Sequence, residues 1–226
     1  MDGPEVSEPE RRRALRGLAR INRWSGVAER IWQVIERTLQ ELGLQSFSLL
    51  DVAGGGGDVA ITLGQLAAKR GVSLDITLLD RDAGGLALAS ENAERAGVAV
   101  RCWAADALAG TWPEGFDVVM CSLFLHHLEE EQAVVLLSRM ARSAWRLVLV
   151  SDLRRSAVGW AVAWAGCRVL SRSPVVHHDG PTSVRAAWSV EEVESLAQKA
   201  RLQGARVERC WPWRWMLTWC IEKAGT

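Results

Sequence analysis

Four consecutive glycines, Gly54 to Gly57, separate an apolar run from a helical one, and no other juncture restricts the chain so strongly. The lead-in Ser48-Leu49-Leu50-Asp51-Val52-Ala53 has the length of a buried strand. Glycines cannot extend it, because they lose the most backbone entropy on ordering and tolerate positive φ. From Asp58 onward Val59, Ile61 and Leu63 set a helical pattern that runs to about Lys69. Strand, glycine turn and helix in that order make the first unit of a Rossmann-like sheet. The backbone of such a turn can approach a small ligand closely, and the following helix N-terminus favours an anionic group. By its chemistry the juncture is a nucleotide-cofactor site.

The alternation repeats down the chain. Strands are expected at 74–79, 98–103, 116–120 and 146–150, with helices over 83–96 and about 129–141. That spacing specifies a parallel, doubly wound sheet with right-handed crossovers. Ahead of the first strand, Leu15, Leu18, Ile21 and Trp24 recur at helical spacing among arginines. Ser25-Gly26 interrupts, and Ile31, Trp32, Ile35 and Leu39 renew the signal up to a Gly43 stop. These helices either cover a sheet edge or fold over the cofactor mouth. The run Arg11 to Arg13 reads as a solvated face, and residues 1–10 as frayed. After the fifth strand come an apolar helical piece over 158–170 and a polar loop over 171–185, together a natural substrate lid. Ser189 with Glu192 then forms a capping box for a last helix to about Ala200. Segments 207–210 and 216–222 close the chain as a hairpin. The expected fold is α/β: a Rossmann-like, doubly wound, mostly parallel seven-stranded sheet with helices on both faces. To it are added an N-terminal helical extension and a lid insertion after strand 5. One domain over 1–226 is expected, divided into a cap (1–44), a cofactor-binding core (45–152), a lid (153–188) and a last helix with hairpin (189–226).

Totals exclude several classes. Twenty-seven basic residues balance 27 acidic ones, so no broad electrostatic footprint for nucleic acid is present. No apolar run is long enough to span a bilayer, and residues 1–20 hold no signal-peptide core. The five cysteines are an odd set without CxxC spacing, which reads as small buried hydrophobes in a reducing compartment. A cytoplasmic location follows as the expectation.

Two readings of the turn compete. Gly55, Gly57 and Ala60 satisfy the dinucleotide pattern GxGxx(G/A), a weak signal alone. The same glycines also stand among three acids: Asp51 before them, Asp80 ending the second strand and Asp106 following the third. Acids at the carboxyl ends of consecutive strands face one crevice at the switch point of the sheet. Asp80 is placed to accept both ribose hydroxyls, and Asp106 can accept from an adenine amino group. Asp51 would discourage a pyrophosphate, yet it suits a ligand carrying a positive charge and an ammonium. That ligand is S-adenosylmethionine. The chain has no Tyr, so the catalytic tyrosine expected of a short-chain dehydrogenase has no candidate.

At LLDVAGGGGD and FDVVMCSLFLHHL the sequence resembles the class I S-adenosylmethionine-dependent methyltransferases, from Ser48 to about Asp152. Ala53 stands where that family usually has glycine. The resemblance implies that Gly55 and Gly57 contact the methionine part, Asp80 the ribose, and Asp106 with Ala107 the adenine. Asp51, Ala53 and Arg81 are implied on the same cofactor, and the fourth-strand segment from Cys121 to His126 on the methyl-donor pocket. The product would be S-adenosyl-L-homocysteine, and no metal is called for.

For the acceptor, a phenol or alcohol needs its proton removed, most often by His. His127 beyond the fourth strand and His177 or His178 in the lid, with Asp179 to orient an imidazole, are the candidate bases. Asp152 ending the fifth strand is a further pocket candidate. Trp211, Trp213, Trp215, Leu217 and Trp219 alternate and, with Trp160 and Trp164, are expected to wall an apolar or aromatic acceptor site. The segments RSPVVHHDGPTSVRAAWSVEEV and WPWRWMLTW resemble methyltransferases that accompany bacterial type III polyketide synthases. That resemblance implies O-methylation of a phenolic lipid or polyketide. Two alternatives stay open: a C-methyltransferase of quinone-type biosynthesis, and a non-catalytic cofactor-binding partner subunit.

Overall fold

The computed structural model describes residues 8–170 and 174–221. Its strands are β1 (Ser46–Val52), β2 (Ser73–Asp80), β3 (Val100–Ala104), β4 (Phe116–Ser122), β5 (Ala144–Leu153), β6 (Arg206–Cys210) and β7 (Arg214–Cys220). They form one sheet in the order β3-β2-β1-β4-β5-β7-β6. β1 to β5 pair parallel, while β7 runs antiparallel to both β5 and β6. The chain therefore winds outward from β1 toward β3, returns to β4, and winds the other way. This reversal splays the connections on either side of β1 and β4 and opens a crevice at their carboxyl ends.

Around the sheet lie helices α1 (Glu8–Ser25), α2 (Val27–Leu42), α3 (Asp58–Lys69), α4 (Ala83–Ala96), α5 (Glu130–Ser143), α6 (Ala157–Leu170), α7 (Pro174–Ala186) and α8 (Val190–Lys199), with a 3₁₀ turn at Leu125–His127. One core packs α2 against Leu49, Ile76, Val118 and Leu149 on one sheet face, through Ile31, Trp32, Ile35 and Leu39. The other core sets Leu136, Leu137 and Met140 of α5 and Val193 and Leu196 of α8 against Leu50, Val119, Val148 and Trp215. Stop and start signals act as their chemistry requires. Gly43 takes φ 63° at the end of α2, and Ser189 and Glu192 exchange their hydrogen bonds at the start of α8.

Two expectations change. The segment expected as a polar loop over 171–185 is the helix α7 from Pro174, in spite of Pro181 inside it; Ser171–Ser173 lie outside the described residues. Burial of Val176 and Val184 against the cap outweighs the low helix propensity of Gly180 and Pro181. Arg12, read as solvated, makes a two-pronged ion pair with Glu91 and so ties α1 to α4. The guanidinium beside Glu91 holds that carboxyl below its ordinary range. The expected fraying of residues 1–10 and the end of the hairpin at Glu222 fall largely outside the described residues, although α1 already begins at Glu8.

Candidate active site

The crevice is a cavity of about 460 Å³ at the carboxyl ends of the parallel strands, closed from above by α1, α6 and α7. α1 lies directly on the glycine turn: a Cβ built on Gly55 or Gly56 would meet Leu15 at 3.9 Å. Of the two helices ahead of β1, α1 covers the mouth and α2 covers the sheet.

The turn is held by both its backbone and its neighbours. Gly55 and Gly57 take φ 52° and 71°, conformations that L side chains rarely adopt. Ala53 sits in the same region at φ 56°, with its amide donating to Leu79 O at 2.7 Å, so the position where the family usually has glycine here carries a strained alanine. Asp80 accepts from the Gly55 amide at 2.8 Å and from the Asp82 amide at 2.8 Å. Gly57 serves packing: its Cβ would lie 3.1 Å from both Ala89 and Leu78, and it is not on the cavity wall.

The site residues expected from the sequence separate into three groups. Ala53, Gly55, Asp80, Arg81, Asp106, Ala107, His126 and His127 share the cavity wall. Asp51 and Cys121 lie beneath it, buried in the sheet. Burial, reinforced by the nearby Asp58 and Asp80, pushes the Asp51 carboxyl well up. Burial followed by Asp152 does the same to the Cys121 thiol. His177 and His178 sit on α7 but off the wall; its contributions are Val176, Asp179, Gly180, Ser183 and Val184. The reason is the helix itself: positions 176, 179, 180, 183 and 184 share the side turned toward the cavity, and 177 and 178 fall outside it.

Sequence reading missed how the imidazoles and acids pair. His126 Nδ1 lies 2.7 Å from Asp152 Oδ1, and the His126 amide donates to Asp152 Oδ2 at 3.1 Å; both residues are buried. Burial alone would raise the Asp152 carboxyl, but the adjoining His126 and hydrogen bonds from His126 and the Leu153 amide hold it below the ordinary range. A carboxylate at Nδ1 fixes the proton there and leaves Nε2 as the basic nitrogen. Asp152 thus orients the histidine that the resemblance placed on the cofactor.

Arg214 was also missed. It starts β7 opposite Leu153, and its Nη2 donates to Asn22 Oδ1 at 3.1 Å and Ser25 Oγ at 3.4 Å on α1. Asn22 in turn donates to Asp58 at 2.9 Å. Burial lowers the Arg214 guanidinium to about 10, with Asp152 and Asp58 pulling the other way. A lone arginine in the tryptophan-rich segment WPWRW was the available signal. Asp51 Oδ1 and Arg214 Nη1 each lack a hydrogen-bond partner among the described residues. A ligand bearing both an ammonium and a carboxylate suits a buried acid and a buried arginine that each keep an open hydrogen-bonding position, and the amino-acid end of S-adenosylmethionine is such a group. Asp80 and Asp106 stand on the wall where ribose and adenine would follow.

The expected tryptophan wall is absent. Trp215 and Leu217 are core residues, Trp219 bonds Gln203 O at 2.9 Å, and Trp211 and Trp213 lie in the β6–β7 turn. The apolar wall is instead Leu15, Leu18 and Ile21 of α1, Phe124 and Leu128 beyond β4, and Cys167, Val176 and Val184 of the α6–α7 cap. No group of three or more possible metal ligands occurs among the described residues.

Known proteins resemble this chain in sequence and fold. Residues 49–144 match the family model described as a methyltransferase domain. The chain is 33% identical over 156 residues to a ubiquinone biosynthesis O-methyltransferase of Pectobacterium carotovorum, covering 68% of this chain and 63% of that protein. It thus spans less than two thirds of that relative. Among solved structures, magnesium protoporphyrin IX methyltransferase of Synechocystis with bound SAH matches with a TM-score of 0.59 at 15% identity. That match covers 87% of this chain and 84% of the other. A SAM-dependent methyltransferase of Aquifex aeolicus matches with a TM-score of 0.56 at 18% identity, over 83% and 89% of the two chains. Residues 49–144 thus carry a methyltransferase domain, and the chain has the fold of the S-adenosylmethionine-dependent methyltransferases.

Proposed function

We propose that the protein transfers a methyl group from S-adenosylmethionine to a phenolic hydroxyl of a small, hydrophobic acceptor, a phenolic lipid or polyketide. The observation that carries this reading is the buried His126–Asp152 dyad on the wall of a cavity whose other side is apolar. The cofactor supplies an electrophilic methyl on a sulfonium. Asp51 and Arg214 anchor the amino-acid end, while Asp80 with Arg81 and Asp106 with Ala107 take the ribose and adenine. Asp152 keeps the His126 proton on Nδ1, so that Nε2 accepts the phenol proton as the oxygen attacks. A general base of this kind contributes about 10²- to 10⁴-fold. The hydrocarbon of the acceptor rests against α1 and the α6–α7 cap, which also exclude water. His127, beside His126 with ring centroids 4.1 Å apart, lines the mouth. O-methylation by the Pectobacterium relative and the resemblance of lid and tail to polyketide-associated methyltransferases support the phenolic acceptor.

The test is turnover of alkylcatechols and alkylresorcinols with S-adenosylmethionine, with the product located by mass spectrometry and NMR. A methyl on oxygen, lost in His126→Ala, supports the proposal. A methyl on ring carbon moves the protein to quinone-type C-methylation, and cofactor binding with no turnover of any phenol makes it a binding subunit.

A further inference from the structure

α6 is apolar around its circumference except at Arg168 in its last turn (AVGWAVAWAGCRVL) and holds no acid. A helix of that kind is ordinarily buried on all sides. Here only one side is covered, where Ala163 and Cys167 face the cavity. On the other side Val169 is 83% exposed, Val158 59% and Trp164 46%. Exposed apolar surface of this extent marks a site of association.

Aromatic side chains continue the patch. A Cβ on Gly159 of α6 would lie 3.0 Å from Trp213, whose ring is 6.2 Å from Trp211; Trp211 is 5.4 Å from Trp24 at the end of α1. Trp24 and Trp211 are both more than half exposed. Arg168 and Arg185 lie over the rings of Trp164 and Trp160 at 4.1 and 5.0 Å. Tryptophan bodies with arginines laid along them suit a boundary that is apolar below and anionic above.

Charge separates the same way. Residues 8–25 and 153–189 together hold eleven arginines against three acids, a net of +8 in a chain whose total is zero. The remainder is therefore equally negative.

We propose that the α6 face, with Trp24, Trp211 and Trp213, docks the protein onto an anionic lipid membrane surface, with the cavity directly behind the docking helix. The purpose of docking rests on the hydrophobic-acceptor reading, since such an acceptor partitions into the bilayer and would enter beside α6. The geometry does not rest on it. A second copy of the chain is disfavoured at this face, because two strongly positive caps would meet. No described helix is long and apolar enough to cross a membrane, so the docking is interfacial.

The test is flotation of the full chain with vesicles of phosphatidylcholine alone and of phosphatidylcholine with phosphatidylglycerol, at low and high salt. Binding to the anionic vesicles is expected to exceed binding to the neutral ones roughly tenfold or more and to weaken with salt. The double variant Val158→Glu/Val169→Glu, exposed and off the cavity wall, should lose flotation while keeping cofactor affinity and turnover of a short, water-soluble phenol. No binding to either vesicle, equal binding to both, or flotation unchanged in the variant overturns the proposal. So does reversible self-association, without vesicle binding, that the variant abolishes. Flotation with no phenol turned over would leave docking standing and sink the acceptor reading; turnover without flotation would do the reverse.

Discussion

On the β1–β2–β3 side of the cavity, polar groups arrive close to strand ends: Asp80 at the end of β2, Asp106 after β3, Gly55 in the turn after β1. On the β4–β5–β7 side the working groups come from far apart. His126 follows β4, Asp152 ends β5, Arg214 begins β7, Asn22 is on α1, and the apolar wall is shared by α1, α6 and α7. The first side is held by backbone, with strained φ angles and amide-to-carboxylate bonds. The second is held by side chains that reach one another only after the sheet has closed. In the proposed reading the first side, a local motif, would hold the cofactor, and the second, assembled from distant elements, the acceptor.

The largest effect is expected at the dyad. Asp152→Asn removes the carboxylate that fixes the His126 tautomer, and turnover should fall about 10²- to 10⁴-fold, as for loss of a general base, with cofactor affinity unchanged. Single-turnover kinetics beside calorimetry would check it. Loss of affinity instead would return His126 to the cofactor side. Next is Asp80→Ala, expected to weaken S-adenosylmethionine binding about 100-fold through two lost charge-assisted hydrogen bonds. Because Asp80 also anchors the Gly55 and Asp82 amides, a lower melting temperature should accompany the loss; unchanged affinity would remove the ribose assignment.

Asp51→Asn sharpens the contrast between stability and binding. Burial raises the folded pKa of Asp51 above its unfolded value, so the folded state holds the proton longer. Stability is then fully present below the unfolded pKa and is lost as pH rises through the folded one. The variant should be more stable than the parent at neutral pH by about 1–3 kcal/mol, yet bind the cofactor more weakly. Urea unfolding at several pH values measures the difference, which should shrink toward acid pH. A less stable variant at neutral pH would contradict the direction. The smallest effects test what each side tolerates. Ala53→Gly should relieve the left-handed backbone and stabilise by about 0.5–1 kcal/mol after the added unfolded-state entropy, and a lower urea midpoint would refute this. His177→Ala and His178→Ala should leave turnover unchanged, and a large loss in either would bring α7 back into the chemistry.

Much of this was legible in the residues themselves. The glycine turn, the acids at strand ends and the helix stops at Gly43 and Gly97 are local devices, in which a backbone conformation or a cap is set by its own neighbours. The pairing of His126 with Asp152 was not legible. Both residues stood out singly, but 26 positions separate them, and only the parallel register of β4 beside β5 puts their ends together. The tryptophan segment misled because alternation predicts a shared face only while the chain stays extended, and Trp211 and Trp213 fall in a turn.

The βα alternation, the glycine turn and the acids at the strand ends were readable from the residues, because these depend on contacts within a few positions. Tertiary structure alone decided that α1 rather than α2 caps the site, that α7 is helical despite Gly180 and Pro181, and that Arg214 is buried beside Asn22 and Ser25. Each of those depends on burial against distant partners, and burial energy is available only once the whole sheet and its cap have packed.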